Sequence, residues 1–239
     1  MAEQLTLGGE SDEGSSRDSR GDGRSDRRVV VAVPKGRVLK QLAPRLATMG
    51  VDPQTLLADD RRLVRDDLAT GLRFLLLKPD DVPTYVEYGV ADLGVVGRDV
   101  LLEREYDLYA PVDLGIGICR MVVAGLPGHV ATREPLRVAT KFAHIAARHF
   151  LRSGRNVEII YVQGSVELAP LTGLADVIVD LVESGETLKQ NGLVVLEHIC
   201  DVSSVVVANR AAFKLKRARL TPVLEALAGM QGAAASAAR

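Results

Sequence analysis

"ADVIVDLVESGETL", Ala175 to Leu188, is the stretch on which the reading of this chain turns. A β-branched run, Val177-Ile178-Val179, is flanked by Asp176 and Asp180. Glu183-Ser184-Gly185-Glu186-Thr187 then turns the chain, and Leu188 opens a helix-like stretch. Strand, small polar turn and helix make the unit of an open α/β sheet, where ligands sit at the carboxyl ends of strands. Backbone N–H groups in such a turn converge on an anion, and Gly185 lets the backbone come close. Ser184 and Thr187 add hydroxyl donors, while Asp176 and Asp180 read as acceptors for sugar hydroxyls or as partners of a hydrated Mg²⁺. The whole suits a sugar phosphate. The plain alternative is a strand end followed by an ordinary helix cap.

Outward from this stretch the same rhythm recurs. "RVVVAVP" (Arg28 to Pro34), "LRFLLLKP" (Leu72 to Pro79) and "ADLGVVG" (Ala91 to Gly97) read as buried strands, separated by the helical spacing of "GRVLKQLAPRLATMG" (Gly36 to Gly50) and the Pro-initiated "PDDVPTYVEYGV" (Pro79 to Val90). "CRMVVAGL" (Cys119 to Leu126) and "SSVVVANR" (Ser203 to Arg210) bracket a further α/β segment containing "LRVAT" and "VEIIYV". Two such brackets predict two lobes joined by two crossover strands, with a ligand cleft between them. We expect lobe I at 29–122 plus 204–228, lobe II at 123–203, and each lobe a mostly parallel sheet flanked by helices. "AAFKLKRARLTPVLEALAG" (Ala211 to Gly229) is expected to return to lobe I as one amphipathic helix. No internal repeat is visible.

Composition narrows the function. The 239 residues are 47% hydrophobic with net charge −1, enough for a core and without a field for nucleic acid or anionic membranes. No apolar run is long enough to span a bilayer. Two cysteines, Cys119 and Cys200, are too few for a disulfide framework, and we expect reduced thiols in a cytoplasmic protein. The absence of Trp argues against base-stacking platforms. Residues 1–28, rich in Gly, Ser, Asp and Arg, are expected to be disordered, and 229–239 to be a flexible tail. His129, His144, His149 and His198 have no metal-ligand spacing.

The stretch Glu167 to Leu188, "ELAPLTGLADVIVDLVESGETL", resembles the signature of the ATP phosphoribosyltransferases, the first enzymes of histidine biosynthesis. "PKGR" (Pro34 to Arg37), "DVPTYVEYGVADLGVVGRDVLLE" (Asp81 to Glu103), "ICRMVVA" (Ile118 to Ala124) and "VEIIYVQGSVELAP" (Val157 to Pro170) are similar to other blocks of that family. The resemblance covers about Val29 to Lys214 and implies a two-lobed fold like the type II periplasmic binding proteins. It also implies the short form, a self-associating dimer within a hetero-octamer whose histidyl-tRNA-synthetase-like subunit carries the feedback response. One departure stands out. Where the family usually has a Lys-Tyr-Pro-Asn-like stretch, this chain reads Lys141-Phe142-Ala143-His144.

The implied reaction joins N1 of ATP to C1 of phosphoribosyl pyrophosphate and expels pyrophosphate, with Mg²⁺ carried mainly by substrate phosphates. Charge builds on the ribose as in other glycosyl transfers, so positioning and electrostatics are expected to carry catalysis. Glu183, Ser184, Gly185, Glu186 and Thr187 would hold the 5′-phosphate, Asp176 and Asp180 the ribose hydroxyls, and Glu167 the Mg²⁺-pyrophosphate region. Lys35 and Arg37, after the first strand, and Arg61 and Arg62 would meet ATP; their bland reading is solvated basic residues. Arg120 lies on an apolar crossover strand and is expected to be buried against a phosphate. A non-catalytic two-lobed anion sensor, or a phosphoribosyltransferase for another base, shares much of this logic.

Overall fold

A computed structural model describes residues 28–128 and 134–236; the expected disorder of the first segment falls almost wholly outside these residues, as does His129. The first half runs β1 (Val29–Pro34), α1 (Arg37–Ala47), α2 (Pro53–Leu57), β2 (Val64–Asp66), β3 (Leu72–Leu77), α3 (Val82–Glu87), β4 (Leu93–Gly97), α4 (Arg98–Glu103) and β5 (Leu108–Asp113). The second runs β6 (Cys119–Gly125), β7 (Leu136–Thr140), α5 (Ala143–Arg152), β8 (Val157–Tyr161), α6 (Leu168–Thr172), β9 (Val177–Val182), α7 (Glu186–Gln190) and β10 (Val194–Val202). β11 (Ser204–Asn209), α8 (Arg210–Leu215) and α9 (Arg217–Ser236) return to the first half.

Two sheets result, ordered β2-β3-β1-β4-β11-β5 and β10-β6-β9-β7-β8. Both are mixed. Each has a parallel trio with its first strand central, β3-β1-β4 and β8-β7-β9, followed by an antiparallel strand from the crossover, β11 or β6. The parallel strands are apolar because helices cover both faces. Val31, Val33, Phe74, Leu93 and Val95 pack in one core of lobe I, Val138, Phe142, Phe150 and Val179 in one core of lobe II.

Residue 122, the expected lobe boundary, falls inside β6, whose seven residues all belong to the second sheet. The chain therefore crosses at Leu114–Ile118 and returns at Ser203. The C-terminal segment forms two helices broken at Lys216 rather than one, with Leu220, Val223, Leu224 and Leu227 buried in the core of lobe I. Helix α9 runs to Ser236, into the segment expected to fray.

The shared topology exposes an internal repeat that the sequence reading did not find. Gly89-Val90-Ala91-Asp92 precedes β4 and Gly173-Leu174-Ala175-Asp176 precedes β9. Both glycines follow a short helix with positive φ (73° and 72°), a conformation that would strain any other residue. Both alanines are buried. Both aspartates lock the start of the neighbouring strand: Val30 N donates to Asp92 Oδ2 (3.0 Å), and Arg137 N donates to Asp176 Oδ2 (2.8 Å). Backbone bonds run back from Asp92 N to Val30 O (2.8 Å) and from Asp176 N to Arg137 O (2.9 Å).

Candidate active site

Parallel strands point their carboxyl ends at one cleft, which brings Lys35–Arg37, Asp80, Gly97–Asp99, Lys141, Gln163 and Glu183 toward each other. The turn that begins at Glu183 sits at the end of β9. Gly185 adopts φ +81°, and Glu186 N donates to Ser184 Oγ (3.3 Å), which holds the turn in shape. With Glu167, Asp180, Leu181, Val182, Glu183, Thr187 and Leu188 it encloses a cavity of about 230 Å³, and all sides but the apolar one are oxygen-rich. Helix α7 has only five residues, so an anion held here would be bound by the turn's own N–H groups rather than by a helix dipole.

Asp180 is one of three acids lining this cavity, with Glu167 and Glu183. Burial raises its pKa above the usual carboxylate range; the neighbouring Glu167 adds to the rise and Lys141 opposes it. Glu167 precedes α6, two residues after Ser165, whose left-handed φ of 48° is rare outside glycine.

Asp176 does not join Asp180, contrary to the sequence reading. It sits at the opposite, amino end of β9, about 13 Å away at roughly 3.3 Å per strand residue. Its carboxylate there accepts from Arg137 N, which makes it a strand lock. Arg120 is exposed rather than buried, so no internal anion is required to neutralise it. Its register against Val182 still places it beside the start of the turn.

From lobe I, Lys35 and Arg37 flank Gly36 at the carboxyl end of β1 and are exposed. Arg37 ion-pairs with Glu183 across the cleft. Arg61 and Arg62 lie elsewhere, exposed between α2 and β2; Arg62 is held by Asp60 (Nε–Oδ2 2.8 Å) and borders a separate surface hollow with Arg65 and Asp66. Within one chain they do not reach the turn's cavity.

Sequence reasoning missed a second, narrow crevice of about 40 Å³ between the lobes, lined by Asp80, Val100, Glu103, Lys141, Tyr161 and Gln163. Its neighbour Asp99 is buried, and burial raises its pKa; Lys141 pulls it down and Asp80 pushes it up. The rule that selected Lys35, a residue just past a parallel strand's carboxyl end, would also have selected Lys141. Beside the crevice, Glu103 of α4 accepts from His144 N (3.0 Å) and Ile145 N (3.1 Å) at the start of α5, so the lobes touch there as well. The His144 side chain adds to this contact, its Nδ1 lying 2.8 Å from Glu103 O.

The crossovers form the remaining contact. Leu114 N donates to Ser204 O (2.9 Å) and Ser204 N to Ile116 O (2.8 Å). Asp113 accepts from Ser203 Oγ (2.8 Å), Gly115 N (2.9 Å) and Arg98 Nη2 (3.1 Å). Among the described residues no cluster of His, Cys, Asp and Glu could hold a metal ion alone, and no helix is long and apolar enough to cross a membrane.

Two α/β lobes, two crossovers and a polar turn facing cations across the cleft define a two-lobed α/β protein with a polar site between its halves. The family model HisG, described as ATP phosphoribosyltransferase, matches residues 78–229. A relative of that name from Sorangium cellulosum is 55% identical over 199 residues, 83% of this chain and 94% of the relative. Another from Halorhodospira halophila is 50% identical over 204 residues, covering 84% and 95%. The solved ATP phosphoribosyl transferase (HisG:HisZ) complex from Thermotoga maritima aligns with TM-score 0.74 at 37% identity, over 84% of this chain and 98% of that one. The chain belongs to the ATP phosphoribosyltransferase family.

Proposed function

We propose that this chain transfers the phosphoribosyl group of phosphoribosyl pyrophosphate to N1 of ATP, the first step of histidine biosynthesis, from the cavity at the end of β9. The observation that carries this reading is the juxtaposition of the turn Glu183–Thr187 with the half-buried Asp180. The turn takes the 5′-phosphate, and Asp180 accepts from a ribose hydroxyl. The adenine lone pair supplies the nucleophile, so the protein's work is to hold two polyanions in line and to balance charge. Lys35, Arg37 and Arg120 are the cations that meet phosphates. Arg61 and Arg62 reach an active site only if it belongs to a neighbouring copy.

Asp180 and Glu167 offer two adjacent hard oxygen donors, which fits Mg²⁺ held by one or two carboxylates and by substrate phosphates. The bound ion would neutralise pyrophosphate charge.

The similarity to a HisG subunit solved with HisZ supports a histidyl-tRNA-synthetase-like partner and a hetero-octamer built on dimers of this chain. Two free thiols fit a reducing cytoplasm. The test is to mix the chain with ATP, phosphoribosyl pyrophosphate and Mg²⁺, with and without that partner, and to measure pyrophosphate and phosphoribosyl-ATP. Tight binding of phosphoribosyl pyrophosphate with no product in either mixture would leave only a sensor. Product from another base and none from ATP would move the reading to a different transferase.

A further inference from the structure

Lys141 is a cation of the crevice between the lobes with no part in the proposed reaction as described above. It is the first residue beyond β7, and the strand pairing fixes where it lies. Val138 pairs with Val177 and Ala139 with Ile178, and Thr140 Oγ1 donates to Val179 O (2.7 Å). One step further along the two strands, Lys141 comes beside Asp180. Its ammonium stands 4.7 Å from the centroid of the Phe142 ring. Among the described residues no carboxylate lies within ion-pair distance of it, although acids surround it. Asp80 and Glu103 line the same crevice from lobe I, and its charge acts on Asp99 from one lobe and on Asp180 from the other.

The charge balance of the site explains why a cation there matters. The turn's cavity is lined by Glu167, Asp180 and Glu183 and by no cation. Arg37, which faces it from lobe I, is engaged by Glu183. A pyrophosphate brought next to Asp180 therefore meets three carboxylates in the cavity lining, with Lys35 and Arg120 outside that lining. An ammonium on the same strand end, with no carboxylate close enough to neutralise it, answers that need without having to break an existing pair.

We propose that Lys141 is a catalytic residue of the transfer, its ammonium meeting the pyrophosphate of the bound phosphoribosyl donor and balancing the charge that develops as this group departs. The inference rests on the proposed function. In the step concerned the adenine N1 lone pair forms the bond to C1, and the C1–O pair leaves with pyrophosphate. The positive charge gained by the adenine is relieved when its exocyclic amino group loses a proton to solvent. Lys141 keeps its proton throughout and acts by position and charge.

The experiment compares wild type with Lys141→Met, Lys141→Gln and Lys141→Arg in the full chain with its partner subunit. Turnover is measured at saturating ATP and Mg²⁺, and binding is titrated with two probes, inorganic pyrophosphate and ribose 5-phosphate. A hydrogen bond to a charged group corresponds to a change of roughly 10- to 150-fold. Turnover and pyrophosphate affinity should both fall by that order in the Met and Gln variants. Ribose 5-phosphate affinity should stay within about twofold, and Arg should restore part of the loss. A merely structural lysine would weaken both probes together. Unchanged pyrophosphate affinity in whichever of the Met and Gln variants folds, or an equal loss for both probes, overturns the proposal. Wild-type protein that turns nothing over, yet binds pyrophosphate in a Lys141-dependent way, would sink the functional reading and leave the contact standing.

Discussion

Arg37 on lobe I and Glu183 on lobe II form an ion pair across the cleft, at the entrance to the phosphate turn. The two side chains are 42% and 56% exposed, so the pair contributes roughly 0–1 kcal/mol to stability. On the proposed function its importance is competitive: an arriving phosphate would need the guanidinium that the carboxylate holds. Glu183→Gln should leave the melting temperature nearly unchanged and raise affinity for phosphoribosyl pyrophosphate up to about fivefold. Titration calorimetry at low salt checks this, and the gain should fade toward ~1 M salt.

The turn should respond to two changes for different reasons. Thr187→Ala removes a hydroxyl donor lining the cavity, and phosphoribosyl pyrophosphate affinity should drop roughly 10- to 150-fold with ATP affinity retained. At Gly185 a side chain would have room, since a Cβ would meet nothing nearer than Val182 Cγ1 at 3.8 Å. The obstacle is the backbone angle. Gly185→Val should cost about 1–2 kcal/mol or more in stability, because a β-branched residue resists φ +81°. Melting curves beside binding titrations separate the two effects.

Asp176→Ala tests the strand lock. Leaving Arg137 N without its acceptor should lower stability by about 1–3 kcal/mol, with kcat/KM for both substrates close to wild type in the folded protein. Asp92→Ala should cost more, because Lys216 Nζ, 3.1 Å from Asp92 Oδ1, also loses its partner. A selective rise in the KM for phosphoribosyl pyrophosphate in Asp176→Ala would return this residue to the ligand site.

Asp180 should show a conflict between stability and activity. Its folded pKa is raised, chiefly by burial, so the protonated form is the one that folding favours. The stability this confers is present below the ordinary carboxyl range and is lost as pH rises through the raised value. Asp180→Asn escapes that loss. It should therefore melt higher than wild type at pH 7, converge with it near pH 4, and turn over far more slowly. Melting curves across this pH range, beside single-turnover rates, check the sign.

Legibility in the sequence followed burial. Strands covered on both faces, such as Val29–Pro34 and Val177–Val182, are continuous apolar runs and were readable; of the edge strands only β8 was. β2 is three residues long, β5 carries Pro111, and β10 is largely exposed along Val194–Leu196, so each lacks the apolar run. Asp176 was misplaced because a spacing of four suggests neighbours, whereas along an extended strand it separates two side chains by the strand's own length. The repeat was missed because only Gly-x-Ala-Asp survives in both copies, four positions whose meaning depends on hydrogen bonds to distant strands. Lys141 stands in the sequence only as the first residue of Lys141-Phe142-Ala143-His144, and nothing in that stretch shows that Asp80 and Glu103 come to line a crevice with it.

The paired crossovers have a kinematic consequence. Leu114, Ile116 and Ser204 share backbone hydrogen bonds, so the two connections are tied side by side, and any swing of one lobe against the other would turn about them. On such a swing a point travels in proportion to its distance from the axis. A change at Asp113 or Ser203 would alter the arc for every ligand alike, whereas a change at the free edge, where Arg37 meets Glu183, alters what waits at the end of the stroke.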